Sequence, residues 1–140
     1  MSRRINLAVI GTGRMGSVHA RNVARLIPQA NLVALCDIRP DVAQAVADEI
    51  GVERVVTDYH ELLADPTVEA VLIAASTPAH AAIIKDVAAA GKHIFCEKPL
   101  ALDLNEIEEA LQAVEKAGVK LQIGFNRRFS PLIRHMAGLF

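Results

Sequence analysis

Short apolar runs alternate with helical patterns along most of the chain, and this alternation limits the fold more than any other feature. An unbroken apolar run such as Leu32 to Leu35 is typical of a strand that is buried on both faces. Strands joined by helices form parallel sheets with right-handed crossovers. The sequence therefore predicts an α/β fold with a doubly wound, six-stranded, mainly parallel sheet and flanking helices. We predict its strands at 5–10, 31–37, 54–57, 68–74, 93–96 and 120–124.

Several predicted helix ends carry capping residues. Pro40 at the start and Gly51 at the end define one helix, which follows the known preference for proline in the first turn and glycine after the last. Thr77 is predicted to cap a later helix, with Pro78 at its first position. Two pairs have the spacing of a capping box: Asp58 with Glu61, and Asp103 with Glu106.

Composition narrows the class of partner. Of 140 residues, 52% are hydrophobic and 22% are charged, and the formal net charge is -1. This balance argues against a nucleic-acid partner, which needs a basic face, and no apolar run approaches the length of a membrane span. The first residues lack the apolar stretch of a secretory signal, so we expect a cytoplasmic protein. Cys36 and Cys96 are expected to be buried and reduced, and the five histidines show no metal-ligand spacing.

A glycine-rich turn directly follows the first predicted strand and opens a helix. Gly11 permits the tight turn, Gly13 leaves room for a pyrophosphate, and Gly16 lets the helix pack close to the strand. The free N–H groups of the helix N-terminus attract phosphate oxygens. This turn is the fingerprint of a dinucleotide-binding Rossmann fold, with the spacing G-x-G-x-x-G. The predicted cofactor-binding residues here are Gly11, Thr12, Gly13, Arg14, Met15 and Gly16.

An aspartate ends the second predicted strand, about 20 residues after the last glycine, as this fingerprint expects. The carboxylate of Asp37 would accept hydrogen bonds from the adenosine ribose hydroxyls and repel a 2′-phosphate. Arg39 is an argument for NADP, because an arginine near this aspartate can accommodate a 2′-phosphate. We favour the alternative that Arg39 is a solvated surface charge. We therefore predict NAD as the cofactor, with NADP possible. Asp37, Ile38 and Arg39 form the second group of predicted cofactor-binding residues.

Small and polar residues follow the fourth predicted strand, next to the point where the strand order reverses. Small side chains leave room for a cofactor across the strand ends. Ser76 and Thr77 are candidates to contact the nicotinamide-side ribose or phosphate, and Thr77 is also a candidate helix cap. Pro78 and His80 complete this third group of predicted cofactor-binding residues.

A lysine stands at the carboxyl end of the fifth predicted strand, where open α/β sheets bind ligands. Lys98 is preceded by Glu97 and followed by Pro99. A cation backed by a carboxylate and stiffened by a proline is a candidate for chemistry on a hydroxyl or carbonyl group. The alternative from position alone is a surface lysine in a loop.

The pattern changes after Gly124. Asn126 to Ser130 are mostly polar and basic, and a helix is predicted to begin at Pro131. We therefore divide the chain into a dinucleotide-binding domain at 1–125 and a short segment at 126–140. That segment either folds back on the sheet or is the stub of a junction to a missing substrate domain.

Taken in order, these motifs resemble the Gfo/Idh/MocA oxidoreductases, which include glucose–fructose oxidoreductase and inositol dehydrogenase. The resemblance covers essentially the whole chain, and its most specific item is the Glu97-Lys98-Pro99 motif. The segment Gly124 to Phe129 looks most like the inositol 2-dehydrogenase branch. The other matching segments are Gly11 to Gly16 with His19, Thr77-Pro78 with His80, and Gly91 to Leu100.

The resemblance implies an N-terminal Rossmann domain followed by a C-terminal substrate domain, which the 140 residues lack. It implies that Lys98 and Glu97 are catalytic and help to position nicotinamide and substrate, that Pro99 follows a cis bond, and that Lys98 and Arg127 approach the substrate. It also places the catalytic histidine in the absent domain. His19 and His80 are expected to flank the cofactor cleft in mainly structural roles.

Two functional hypotheses follow. In the first, the chain is the NAD(P)-binding half of an oxidoreductase that oxidises a secondary alcohol of a polyol or sugar, and it is inactive as 140 residues. In the second, it is a stand-alone NAD-binding or sensing module without catalysis. Because loss of a covering domain would expose apolar surface, we also expect a homo-oligomer.

Overall fold

The computed structural model describes residues 3–138 and has the predicted alternation of strands and helices. The strands are β1 (Ile5–Ile10), β2 (Ala30–Cys36), β3 (Val55–Val56), β4 (Ala70–Ile73), β5 (His93–Cys96) and β6 (Leu121–Ile123). The α-helices are α1 (Arg14–Leu26), α2 (Pro40–Ile50), α3 (His60–Leu63), α4 (Thr77–Ala89), α5 (Leu104–Ala117) and α6 (Pro131–Ala137), and a 3₁₀ helix spans Asn126–Phe129.

All six strands form one parallel sheet, as predicted, and their order is β3-β2-β1-β4-β5-β6. The chain runs outward from β1 to β3, then returns to place β4 on the other side of β1. Ile10 lies opposite Cys36 of β2 and Ile73 of β4. The carboxyl ends of these central strands therefore meet at one edge, on either side of the point where strand order reverses.

Helices cover the two faces of the sheet and create two cores. Val9 and Leu35 pack with side chains of α1 and α2, whereas Ile10 and Ile73 pack with side chains of α4 and α5. Neighbouring residues of β1 thus point to opposite cores, as expected for a strand that is buried on both faces. The sheet edge that carries the candidate site is held in place from both sides.

Two helix starts differ from prediction. Ser76, not Thr77, occupies the cap position of α4, and Thr77 and Pro78 are its first two residues. A side-chain cap gains little there, because Pro78 has no N–H and the N–H of Ala79 bonds to the Ser76 carbonyl oxygen. The capping box at Asp58 is also wrong, since its carboxylate accepts a bond from the N–H of His60 beside a single helical turn.

Other predicted ends are confirmed. Pro40 is the first residue of α2, and Gly51 follows it in the left-handed conformation with φ 75°. The carboxylate of Asp103 accepts bonds from the N–H groups of Asn105 and Glu106 at the start of α5. Local sequence signals therefore set most helix boundaries to within one residue.

The segment after β6 packs differently from the sheet. It forms the 3₁₀ helix, which the sequence did not predict, and then α6, which begins at Pro131 as predicted. Between Asn126 and Ala137 no side chain is buried. In residues 3–138, no helix combines the length and apolar character that a bilayer crossing requires.

Candidate functional site

The glycine loop between β1 and α1 has the geometry that its spacing predicts. Gly11 has φ 88°, and a Cβ there would lie 2.6 Å from the Ala74 carbonyl carbon. A Cβ at Gly16 would overlap the carbonyl oxygen of Gly11. A Cβ at Gly13, by contrast, would meet no atom of residues 3–138 within 4 Å. Gly11 and Gly16 are therefore required by the fold, whereas Gly13 keeps space open beside the loop.

The N-terminus of α1 points its free backbone groups at that open space. Within the described chain no side chain caps this helix, and its first turn contains no acidic residue. The N–H groups of its first turn thus remain available to an anion, and the helix dipole favours negative charge there. The open space at Gly13 and the uncapped N–H groups fit the pyrophosphate of a dinucleotide.

Asp37 lies beside this loop at the end of β2 and is almost fully buried. Its Oδ2 accepts bonds from the backbone N–H of Thr12 at 2.8 Å and from the Thr12 hydroxyl at 3.0 Å. Its Oδ1 accepts a bond from the backbone N–H of Arg39 at 3.0 Å. Burial raises the pKa of Asp37, but these hydrogen bonds outweigh burial and leave the pKa below its usual value. Asp37 is therefore an anion at neutral pH.

A cleft of about 510 Å³ opens between Asp37 and β4. Gly13, Ile38, Arg39 and Ser76 contribute to its walls, as does Tyr59, which the sequence analysis missed. The Tyr59 hydroxyl donates to Asp86 Oδ2 at 2.7 Å, and burial, followed by this bond, raises its pKa to about 12. No local motif marks Tyr59, because it reaches the cleft only through the crossover after β3.

A second cleft, of about 340 Å³, lies on the other side of Ala74 and Ala75. Arg14, Met15 and Thr77 line it together with Glu97, Lys98 and Asn126. The sheet therefore brings the glycine loop, the residues after β4 and the residues after β5 to one place. Ala74 and Ala75 are shared by both clefts, so the two cavities adjoin across the strand ends.

Glu97 is buried and anchored at both carboxylate oxygens. Its Oε1 lies 2.7 Å from His19 Nε2, and its Oε2 accepts a bond from the backbone N–H of Lys98 at 3.2 Å. The His19 ring also meets Phe95 edge-on, with centroids 5.4 Å apart. Lys98 is exposed to the cleft, and the Lys98–Pro99 peptide is cis, as the resemblance implied. His19 thus holds the carboxylate beside the lysine.

His80 lies beneath the second cleft and is 1% exposed. Its Nδ1 is 2.8 Å from the carbonyl oxygen of Pro99, and its Nε2 is 2.9 Å from that of Ala75. Both ring nitrogens therefore face the backbone of the chain itself. These contacts connect the loop after β4 with the loop after β5, and the predicted contact of His80 with a cofactor stays a prediction.

The remaining predicted site residues occupy less direct positions. Pro78 lies within the first turn of α4. Arg127 is exposed on the 3₁₀ helix, where its neighbour Asn126 contributes to the second cleft. The predicted contact between Arg127 and a substrate stays a prediction. Among residues 3–138, no cluster of three or more histidine, cysteine, aspartate or glutamate side chains could hold a metal ion.

A parallel sheet with a glycine loop at its switch point, a buried aspartate after its second strand and two adjoining clefts defines a dinucleotide-binding Rossmann domain. Residues 5–125 match the model of the Gfo/Idh/MocA family, described as an oxidoreductase family with an NAD-binding Rossmann fold. The chain belongs to this family, and its cofactor is NAD, with NADP not excluded.

Similar proteins include several inositol dehydrogenases. An uncharacterised oxidoreductase, YrbE of Bacillus subtilis, is 46% identical over 131 residues, covering 94% of this chain and 38% of the relative. Myo-inositol 2-dehydrogenase of Thermotoga maritima is 43% identical over 125 residues, covering 89% and 37%. The chain thus spans about two fifths of the length of these curated relatives.

Among solved structures, scyllo-inositol dehydrogenase from Lactobacillus casei with bound NAD(H) and scyllo-inositol superposes with a TM-score of 0.91. It is 34% identical to this chain, and the match covers 98% of this chain and 41% of that one. The Rossmann fold is therefore shared over nearly the full length of the described residues.

Proposed function

We propose that this chain is the cofactor-binding half of a dehydrogenase that oxidises a secondary alcohol of a polyol or sugar, most like an inositol 2-dehydrogenase. The observation that carries the proposal is the position of Lys98 and Glu97, which line the cleft that adjoins the glycine loop. The inositol dehydrogenases among its relatives support the choice of substrate class.

In this proposal the two clefts divide the cofactor between them. The cleft beside Asp37 takes the adenosine half, and the cleft beside Lys98 takes the nicotinamide half. The anionic Asp37 favours NAD because it accepts bonds from ribose hydroxyls and repels a 2′-phosphate. Arg39 is 61% exposed in its side chain, with Nε 3.6 Å from Asp37 Oδ1, and is the residue through which NADP would bind.

When bound, NAD supplies the hydride acceptor. Lys98 donates a hydrogen bond to the substrate oxygen and polarises it, while Glu97, fixed by His19, keeps the lysine and nicotinamide side in position. Neither nitrogen of His80 is available as a base, since both face carbonyl oxygens. In this proposal the base that removes the hydroxyl proton comes from the substrate domain, and general base catalysis typically contributes 10²–10⁴-fold.

The same reasoning extends to domain organisation. We propose that 1–125 is the cofactor-binding domain, that 126–140 leads toward a substrate domain, and that the 140-residue chain binds NAD without turnover. Support comes from the length of its relatives, of which it spans about two fifths. A stand-alone NAD-binding module is the alternative, and its clefts would bind the cofactor equally well.

Calorimetric titration of the chain with NAD and with NADP tests the central claim. We expect binding of NAD in preference to NADP. Absence of binding by both dinucleotides would overturn the proposed function, and a strong NADP preference would reverse the interpretation of Asp37 and Arg39.

A turnover assay tests whether this chain needs a substrate domain for catalysis. We expect no NADH formation when the chain is incubated with NAD and myo-inositol or scyllo-inositol. Turnover that is lost in Lys98→Ala would show that the chain carries a complete active site, contrary to the proposal.

A further inference from the structure

Thr12 is the buried polar side chain that the proposed function leaves unexplained. It sits between two glycines of the phosphate-binding loop and is 2% exposed, so its hydroxyl is directed away from solvent. Both of its hydrogen-bond donors reach the same atom, Asp37 Oδ2, at 2.8 Å from the backbone nitrogen and 3.0 Å from the hydroxyl. Thr12, at the position after the first glycine of the motif, is thus hydrogen-bonded to Asp37, which in the proposed function binds the adenosine ribose.

Counting acceptor sites shows what these bonds leave free. An ionised carboxylate has about four lone-pair sites, two on each oxygen. In the described chain, Thr12 fills both sites of Oδ2, while Oδ1 receives only the backbone N–H of Arg39. Oδ1 is therefore the oxygen with capacity for a ligand hydroxyl. The orientation of the carboxyl group is fixed from both sides.

The hydroxyl has a separate effect from the backbone N–H. The backbone N–H groups of Thr12 and Arg39 each hold one oxygen of the carboxylate, and the hydroxyl adds a second donor on Oδ2 that further restrains its orientation. Without the hydroxyl, Oδ2 has an unfilled site in a buried position, which costs free energy until a new donor is found. The nearest charged donor is the Arg39 side chain, whose Nε is 3.6 Å from Oδ1.

We propose that Thr12 is a specificity-determining residue that acts through Asp37: its hydroxyl positions the carboxylate so that Oδ1 is presented to the adenosine ribose hydroxyls and NAD is selected over NADP. This rests on the proposed function, because it requires a dinucleotide in the cleft beside Asp37. It makes Thr12 a positioning residue, since its side chain acts on the ligand only by way of the aspartate.

The test compares Thr12→Val, which keeps shape and backbone N–H, with Thr12→Ser, which keeps the hydroxyl. Dissociation constants for NAD and NADP are measured by calorimetry for both variants and the parent chain. We expect the preference for NAD over NADP to fall about tenfold in Thr12→Val, the effect of one bond to a charged group, and to be retained in Thr12→Ser.

A purely structural role predicts a different result. If Thr12 only held the loop, Thr12→Val would weaken NAD and NADP by the same factor and leave their ratio unchanged, and that outcome would overturn the proposal. The ratio is therefore the deciding measurement. A thermal unfolding curve for each variant shows whether both are folded.

A double-mutant cycle that combines the Thr12 substitution with Asp37→Ala provides the second test. If Thr12→Val is unstable, Thr12→Ala takes its place in the cycle. If Thr12 acts through Asp37, its substitution should not change the NAD-to-NADP ratio once the carboxylate is gone. A persistent effect in the Asp37→Ala background would contradict the proposal. Failure of the parent chain to bind either dinucleotide would instead refute the proposed function itself, so the two failures are distinguishable.

Discussion

Cys36 ends β2 and Cys96 ends β5, and both cysteines are buried and free. Burial, more than the adjacent carboxylates, raises the pKa of each thiol to about 12. Because only the thiolate reacts readily, we expect neither cysteine of the folded chain to react with a thiol reagent at pH 8. Fast reaction before unfolding would contradict this, and denatured protein, with both thiols reactive, is the control.

The same pKa values predict how stability depends on pH. In the unfolded chain the thiols titrate near 9.0, whereas in the folded chain they titrate near 12. The unfolded state therefore releases protons that the folded state retains, and the free energy of unfolding should decrease as pH rises from about 9 to about 12. Denaturant unfolding at a series of pH values, with Cys36→Ala as comparison, would measure this decrease.

The sequence identified the residues that belong to local motifs and missed contacts between distant residues. The glycines and Asp37 could be predicted because their spacing reflects one strand, one turn and one helix. The bond between His19 and Glu97 joins residues 78 positions apart, so no pattern within a window reveals it. The same holds for His80, whose bond to Pro99 depends on how β4 and β5 are paired.

At the scale of elements, two glycines of the β1–α1 turn have different roles: Gly16 is needed for the fold, and Gly13 leaves space for a ligand. Substitution of each glycine by alanine tests this difference. Gly16→Ala places a methyl group on the carbonyl oxygen of Gly11, and we expect it to lower the free energy of unfolding by about 3 kcal/mol. Gly13→Ala enters open space and should change stability by less than about 1 kcal/mol.

Among folded protein, we expect NAD affinity to be reduced more by Gly13→Ala than by Gly16→Ala, which is the reverse of their effects on stability. The methyl group of Gly13→Ala projects where the pyrophosphate approaches the backbone, so binding should weaken by at least about tenfold. Calorimetry and chemical denaturation on both variants check the pair. Unchanged NAD binding in Gly13→Ala would place the phosphates elsewhere.

The cap of α5 offers a second test of an element. The carboxylate of Asp103 accepts bonds from two backbone N–H groups, and Asp103→Ala leaves both without a partner. We expect a loss of about 1 kcal/mol, or roughly 3 °C in Tm, and a much smaller loss for Asp103→Asn, which retains an acceptor. Equal losses in both variants would argue that charge near the helix N-terminus, and not the cap, is responsible.

Element boundaries show where sequence patterns were sufficient. Pro40 and Gly51 define α2 because each has a backbone preference that no neighbour overrides. The start of α4 was misplaced by one residue because Ser76 and Thr77 are both good caps, and only the backbone conformation chooses between them. The 3₁₀ helix at Asn126–Phe129 lies where no periodic apolar pattern exists, so nothing predicted it.

At the scale of the whole molecule, the segment after β6 carries an apolar surface. Phe125, Phe129, Leu132 and Met136 are 56%, 61%, 67% and 48% exposed. Exposed apolar side chains concentrated in one short segment favour association, so we expect a dimer or higher oligomer in solution. Light scattering should show that the double substitution Phe129→Ser with Leu132→Ser shifts the chain toward monomer.

Leu104 supplies the matched control for this prediction, because it is 82% exposed but lies at the start of α5, away from this segment in sequence. Leu104→Ser should leave the association unchanged. A parent chain that stays monomeric at high concentration, or an equal response to both changes, would contradict association through the C-terminal segment.

One imidazole connects the loop after β4 to the loop after β5, and this makes their motions interdependent. Because the ring nitrogens of His80 lie 2.8 Å from the Pro99 carbonyl oxygen and 2.9 Å from that of Ala75, movement of either loop disturbs the ring that contacts the other. Amide hydrogens at residues 75–77 and at residues 98, 100 and 101 should therefore exchange with solvent deuterium at correlated rates, as one cooperative unit. In His80→Ala the two rates should become independent, because each loop would then open separately.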